Sequence, residues 1–183
     1  METTSTAQAE PKVAIDPKVK VGHVHLNVAA LERSVAFYRD VLGLRVLLKL
    51  PKLAFLSAGD DPLLALDTRI TQGEEPPVNG VTSLHHYALL HPTREALAST
   101  VSRVVEAGAK VARTADFTIS LAVFIRDPDG NMVELCWERP RSEWPEDWAS
   151  ASAMGSPRPF DVATLLAEAR ALIAEKPLKA ATR

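Results

Sequence analysis

All five histidines of this 183-residue chain fall in two short segments: His23 and His25 in GHVHLNV, and His85, His86 and His91 in LHHYALLHP. Imidazole is the commonest metal-ligating side chain near neutral pH. Two imidazoles and one carboxylate on a face of an ion leave half its coordination sphere for water, substrate or oxygen. The carboxylate candidate is Glu134, set between Val133 and Leu135 in an otherwise apolar segment where an unpaired charge is costly. His23, His86 and Glu134 are therefore the expected ligands of a divalent metal. Each has a plainer use when taken singly, because a buried His is usually a hydrogen-bonded core residue and a strand Glu usually a solvated one. Their recurrence at matching places in the chain favours the metal. His25 and His85 are then residues that support the ligands or line the pocket, and His91, before Pro92, belongs to a loop. Cys136 shares the strand parity of Glu134 and reads as a packed, inert thiol.

The elements that must position these residues follow from hydropathy patterning. Residues 22–28 alternate as a strand does, with His23, His25 and Asn27 on one face and Val24, Leu26 and Val28 on the other. A helix is predicted over 31–42, with Leu31, Val35, Tyr38 and Leu42 on one stripe and Gly43 as its stop. Three short strands are predicted at 45–50, 53–57 and 63–68, broken by Pro51, Gly59 and the Asp60-Asp61-Pro62 turn. From Leu84 the order restarts: a strand, a helix over 94–107 closed by Gly108, a strand from Lys110, a run over 119–125, a DPDG turn, and a last strand over 131–137. Gly43 and Gly108 lie 65 residues apart and His23 and His86 lie 63 apart, so the chain reads as a tandem repeat with two extra loop residues in its second copy.

The expected fold is thus α+β: two tandem βαβββ units, residues 20–70 and 82–139, forming an open half-barrel cup whose concave face holds the metal and a small ligand. Residues 1–19 read as a disordered arm, and 140–183 as a connector and an amphipathic helix over 161–174, N-capped by Asp161. The helix stripe of Leu165, Leu166, Ala169, Leu172 and Ile173 needs a surface to cover, on this domain or on a second subunit; a homodimer is expected.

Composition narrows the function classes. A chain that is 46% hydrophobic and 24% charged, with net charge -2, can bury a core but gives no electrostatic reason to bind nucleic acid or an anionic membrane. The N-terminus lacks a signal-peptide core, no run approaches the roughly 18 to 20 apolar residues of a membrane span, and a single cysteine suits a reducing compartment. Cytoplasm and small-molecule partners are expected.

Three segments, GHVHLNVAALERSVAFYRDVLGL, HHYALL and DPDGNMVEL, in that order, resemble the vicinal oxygen chelate superfamily, which includes glyoxalases, bleomycin-resistance proteins and extradiol dioxygenases. The resemblance runs from about Val21 to Pro140 and places that superfamily's metal ligands on His23, His86 and Glu134. ELCWERPRSEWP is similar to the closing segment of single-module, catechol 2,3-dioxygenase-like members. That likeness implies Fe(II), a catecholic diol as substrate and O2 as co-substrate, with ring cleavage beside the hydroxyls. It also implies a catalytic His and Tyr that the chain lacks: Pro62 or Leu63 stands at the first position and Phe124 at the second. His25 or His85 is the expected substitute, and the pocket wall is expected to include Asn27, Ala88, Phe124 and Met132. Two other functions remain open on the same platform. One is a non-redox isomerase, lyase or thiol transferase of the glyoxalase or fosfomycin-resistance type, using Mn, Zn, Ni or Co. The other is a drug-binding resistance protein.

Overall fold

The computed structural model describes residues 15–75, 83–146 and 157–175. Most of the expected N-terminal arm, part of the 140–160 connector and the end of the chain lie outside the described residues. The first unit runs β1 (Val24–Asn27), α1 (Leu31–Ala36), a π-helical turn (Phe37–Val41), β2 (Arg45–Lys49), β3 (Leu53–Ser57) and β4 (Leu64–Asp67). The second runs β5 (Tyr87–Leu90), α2 (Arg94–Glu106), β6 (Val111–Phe117), β7 (Ser120–Arg126) and β8 (Met132–Glu138), and α3 (Val162–Glu175) closes the described chain. The two four-stranded mixed sheets have matching orders, β1-β4-β3-β2 and β5-β8-β7-β6, and neither closes on itself. In each, the first strand pairs in parallel with the last and forms one edge. The α+β repeat is as expected.

The predicted helix over 31–42 is α-helical only to Ala36. Its last turn is π-helical, with Leu42 N–H donating to Phe37 C=O at 3.3 Å. Gly43 then reverses the chain at φ +82°, and a Cβ there would sit 3.1 Å from the Arg103 guanidinium, which itself donates to Leu42 C=O at 3.1 Å. The start of α1 is also held from the other unit. Its N-cap, Ala30, offers no side-chain acceptor, and buried Asp129 of the DPDG turn accepts instead from Ala29 N–H (3.0 Å), the Arg33 guanidinium (2.6 Å) and Ser34 Oγ (2.8 Å). Next to it, Tyr87 Oη donates to Tyr38 Oη at 2.8 Å and Tyr38 Oη to Asp127 at 2.7 Å. Burial pushes both tyrosines above their ordinary pKa, so they remain neutral donors. The turn that opens β8, which carries Glu134, is thereby tied to the helix that follows β1, which carries His25.

The helix-facing sides of both sheets share one core, including Val35, Tyr38, Leu64 and Leu66 from the first unit and Leu97, Val101, Val133 and Leu135 from the second. The C-terminal helix covers this domain: α3 packs on α2 with Leu165 buried, Arg94 pairs with Glu168, and the Asp161 cap accepts Ala163 N–H at 2.9 Å. Just before it, Arg158 bridges Asp116 and so covers the outer edge of β6. Of the predicted stripe, the side chains of Ala169, Leu172 and Ile173 lie outside the described residues.

Candidate metal centre

Strand parity sends Val133 and Leu135 into the core, so Met132, Glu134 and Cys136 face the opposite way, as do Ala88 on β5 and His86 immediately before it. On that face His86 Nε2 lies 2.9 Å from Glu134 Oε2. Two cis donors on one ion with bonds of about 2.1 Å lie about 3 Å apart, so the donor types and their separation suit a divalent transition metal. Glu134 is the more buried partner, with a side chain 13% exposed. No Arg or Lys neutralises it among the described residues. Phe124, opposite Glu134 in β7, is buried and meets the His86 ring edge-on at 5.5 Å.

His23 precedes β1 on the first sheet. Among the described residues no three His, Cys, Asp or Glu side chains converge closely enough to hold a metal, so His23 stands apart from the His86–Glu134 pair. It lines, together with Ala88, a cleft of about 570 Å³ between the edge strands β1 and β5. Its ring meets Phe55 edge-on at 6.3 Å, as His86 meets Phe124.

His25 makes a pair of its own, with Nε2 3.3 Å from Asp67 Oδ2. Asp67 is buried and also accepts from the backbone N–H (2.8 Å) and Nε (2.7 Å) of Arg69; these bonds hold its carboxyl well below the usual carboxylate range. His85 Nδ1 lies 2.6 Å from His86 Nδ1, so it acts on the ligand candidate itself rather than on the open face. His91 lies in the loop that follows β5. It is half-buried, bonded to Cys136 C=O and Thr100 Oγ1 (both 3.1 Å), and burial lowers its pKa. Cys136 is pushed up to about 12 by burial and the nearby carboxylates of Glu134 and Glu138, so it is a thiol at neutral pH. Of the expected pocket wall, Ala88, Phe124 and Met132 share the Glu134 face, while Asn27 lies on the other sheet beside Asp67.

Sequence reasoning missed Asp67, Arg113 and the two turn aspartates. Asp67 was legible as an acid ending an apolar strand two residues beyond Ala65, the parity that faces His25. Asp127 and Asp129 read only as turn formers. Arg113 had no signal, because a β-bulge sets its direction.

A family model described as the glyoxalase/bleomycin resistance protein/dioxygenase superfamily matches residues 20–135. The chain belongs to this superfamily. Within it, the chain is 34% identical over 134 residues to a catechol-2,3-dioxygenase of Bacillus subtilis (strain 168), covering 73% of this chain and 47% of that protein. It is 27% identical over 117 residues to a biphenyl-2,3-diol 1,2-dioxygenase of Rhodococcus globerulus, covering 63% of this chain and 62% of that one. The chain thus spans about half to three fifths of the curated relatives it matches. A lactoylglutathione lyase from Agrobacterium tumefaciens has a similar structure, with TM-score 0.54, 27% identity, and 67% of this chain and 96% of that chain covered. A genomically encoded fosfomycin resistance protein from Listeria monocytogenes shares the fold at TM-score 0.51 and 16% identity, with 68% of this chain and 97% of that chain covered. No helix among the described residues of this superfamily member is long and apolar enough to cross a membrane.

Proposed function

We propose that this protein is a metal-dependent extradiol-type dioxygenase that opens the ring of a small catecholic aromatic with Fe(II) and O2. The observation that carries the reading is the His86–Glu134 pair, 2.9 Å apart beside Phe124, with no Arg or Lys among the described residues to balance the glutamate. The likeness to the Bacillus subtilis catechol dioxygenase supports it. His23 is the third ligand in this reading, supported by its place on the cleft wall shared with Ala88. When bound, Fe(II) would supply a centre that the two diol oxygens chelate and that activates O2.

The chain's own residues supply the rest. Phe124, Ala88 and Met132 give the aromatic ring an apolar wall and exclude water. His25 moves the proton: with Nε2–H directed at Asp67, Nδ1 is left as the base for the diol hydroxyl, the task for which Leu63 and Phe124 have no suitable group. Both atoms of O2 enter the product, so no outside reductant is needed. The reading also takes the enzyme as a cytoplasmic homodimer.

The test is oxygen uptake by protein purified without air and loaded with Fe(II), over a panel of catechols. One O2 consumed per diol, with a yellow ring-fission product, is expected; full iron loading with no uptake across the panel ends the proposal. A second reading, a non-redox lyase or isomerase using Zn, Ni, Co or Mn, is favoured by the likeness to the Agrobacterium lyase and by Phe124 and Leu63. Turnover of a glyoxalase-type substrate with those metals but not with Fe would select it. Tight binding of a drug by metal-free protein would select a resistance protein instead.

A further inference from the structure

Across the second sheet four residues stand in one row: Ala88 opposite Glu134, Glu134 opposite Phe124, and Phe124 opposite Arg113. A β-bulge between Val111 and Arg113 creates the last pairing, because without the extra residue Ala112 would face Phe124. The Arg113 guanidinium lies over the Phe124 ring, 3.7 Å from its centroid. Among the described residues Arg113 makes no hydrogen bond or ion pair. The nearest acid on its strand, Asp116, has the opposite parity and pairs with Arg139 at 2.8 Å. Stacking fixes the guanidinium by its face and leaves its N–H donors, which lie in the plane, open to a planar acceptor.

We infer that Arg113 is a specificity residue that binds a carboxylate on the substrate, so that the preferred diol is an anionic catechol. The inference rests on the metal-centre reading for where the diol sits. Strands spaced about 4.8 Å apart put the Arg113 and Glu134 backbones about 10 Å apart. Phe124 stands between them in the row, with His86 edge-on to its ring and Arg113 over its face, so a diol bound at the His86–Glu134 pair would extend across Phe124 toward the cation. Arg113 is exposed, and a bidentate guanidinium–carboxylate contact there still favours the acid over a neutral analogue, which leaves the donors unmatched. The first sheet offers no equivalent, since Leu48 occupies the matching place opposite Phe55.

The experiment measures calorimetric binding of 3,4-dihydroxybenzoate and 4-methylcatechol to the Fe(II) protein without air, for wild type, Arg113→Gln and Arg113→Lys. Expected are at least about tenfold tighter binding of the carboxylated diol by wild type, loss of that preference in Arg113→Gln, and partial recovery in Arg113→Lys, with 4-methylcatechol affinity unchanged within about twofold throughout. Equal affinity of wild type for the two diols, no binding of either, or a preference that survives Arg113→Gln overturns the inference. Oxygen uptake on the same samples decides ring cleavage separately. Carboxylate preference without uptake would keep Arg113 and reject the dioxygenase; uptake without preference would do the reverse.

Discussion

Each sheet carries one histidine–carboxylate pair, but the two pairs sit at different registers of the same scaffold. In the first sheet His25 lies opposite Ala65 and meets Asp67; in the second, Ala88 lies opposite Glu134, which meets His86. In the repeat frame His23 corresponds to His86, Ala65 to Glu134, and Asp67 to Cys136. The carboxylate has therefore moved by one inward-facing position between the units. Its electrostatic company has changed as well. Arg69 already neutralises Asp67, whereas among the described residues Glu134 pairs with a histidine and no Arg or Lys. A carboxylate balanced by guanidinium gains little from a metal and orients a neighbouring imidazole well. One without a fixed cation is suited to take one. Under the proposed function the same backbone would support a proton-handling pair on one side and a metal-holding pair on the other.

Exchanging the two acids for their amides breaks that comparison most directly. Glu134→Gln is expected to abolish iron retention and lower oxygen uptake at least about 10³-fold, while Asp67→Asn keeps its iron and loses about 10²- to 10³-fold in kcat. Metal analysis beside kinetics reads both. Equal iron loss in the two variants would erase the division of labour.

A second contrast sets the strut between the units against a pair within one. Asp129→Ala removes the acceptor for three donors at the start of α1 and is expected to cost about 2–3 kcal/mol of unfolding free energy. Asp60→Ala, which removes only the exposed partner of Arg45, is expected to change stability by less than about 0.5 kcal/mol. Urea unfolding midpoints measure both. A small effect at Asp129 would show that the units hold their relation through the apolar core alone.

The smallest expected effect concerns acid sensitivity in the second unit. Burial lowers the pKa of His91, so the unfolded chain takes up its proton first; the stabilising neutral form is fully present above the ordinary value near 6.5 and its contribution falls as pH drops toward the lowered folded value. His91→Gln is expected to flatten the decline in stability below about pH 6.5 relative to wild type. Parallel urea titrations across that range would show the same slope if His91 were not the cause.

Much of this was legible in local pattern. Alternation placed His23, His25 and Asn27 on one face of β1, Gly43 and Gly108 marked the helix ends at φ +82° and +70°, and the acid between Val133 and Leu135 marked Glu134, because period and backbone conformation are properties of short segments. The sequence by itself determined the repeat, the faces and the chemistry of the donor set. Tertiary structure decided which donors meet. His86 finds Glu134 and His25 finds Asp67 through parallel strand pairing across dozens of residues, and among the described residues His23 does not converge on the first pair. It also decided that Asp127 and Asp129 tie one unit to the helix of the other, and that a single-residue bulge lays Arg113 over Phe124. Register and contact between distant segments depend on how whole elements pack, which a period of two or 3.6 residues does not encode.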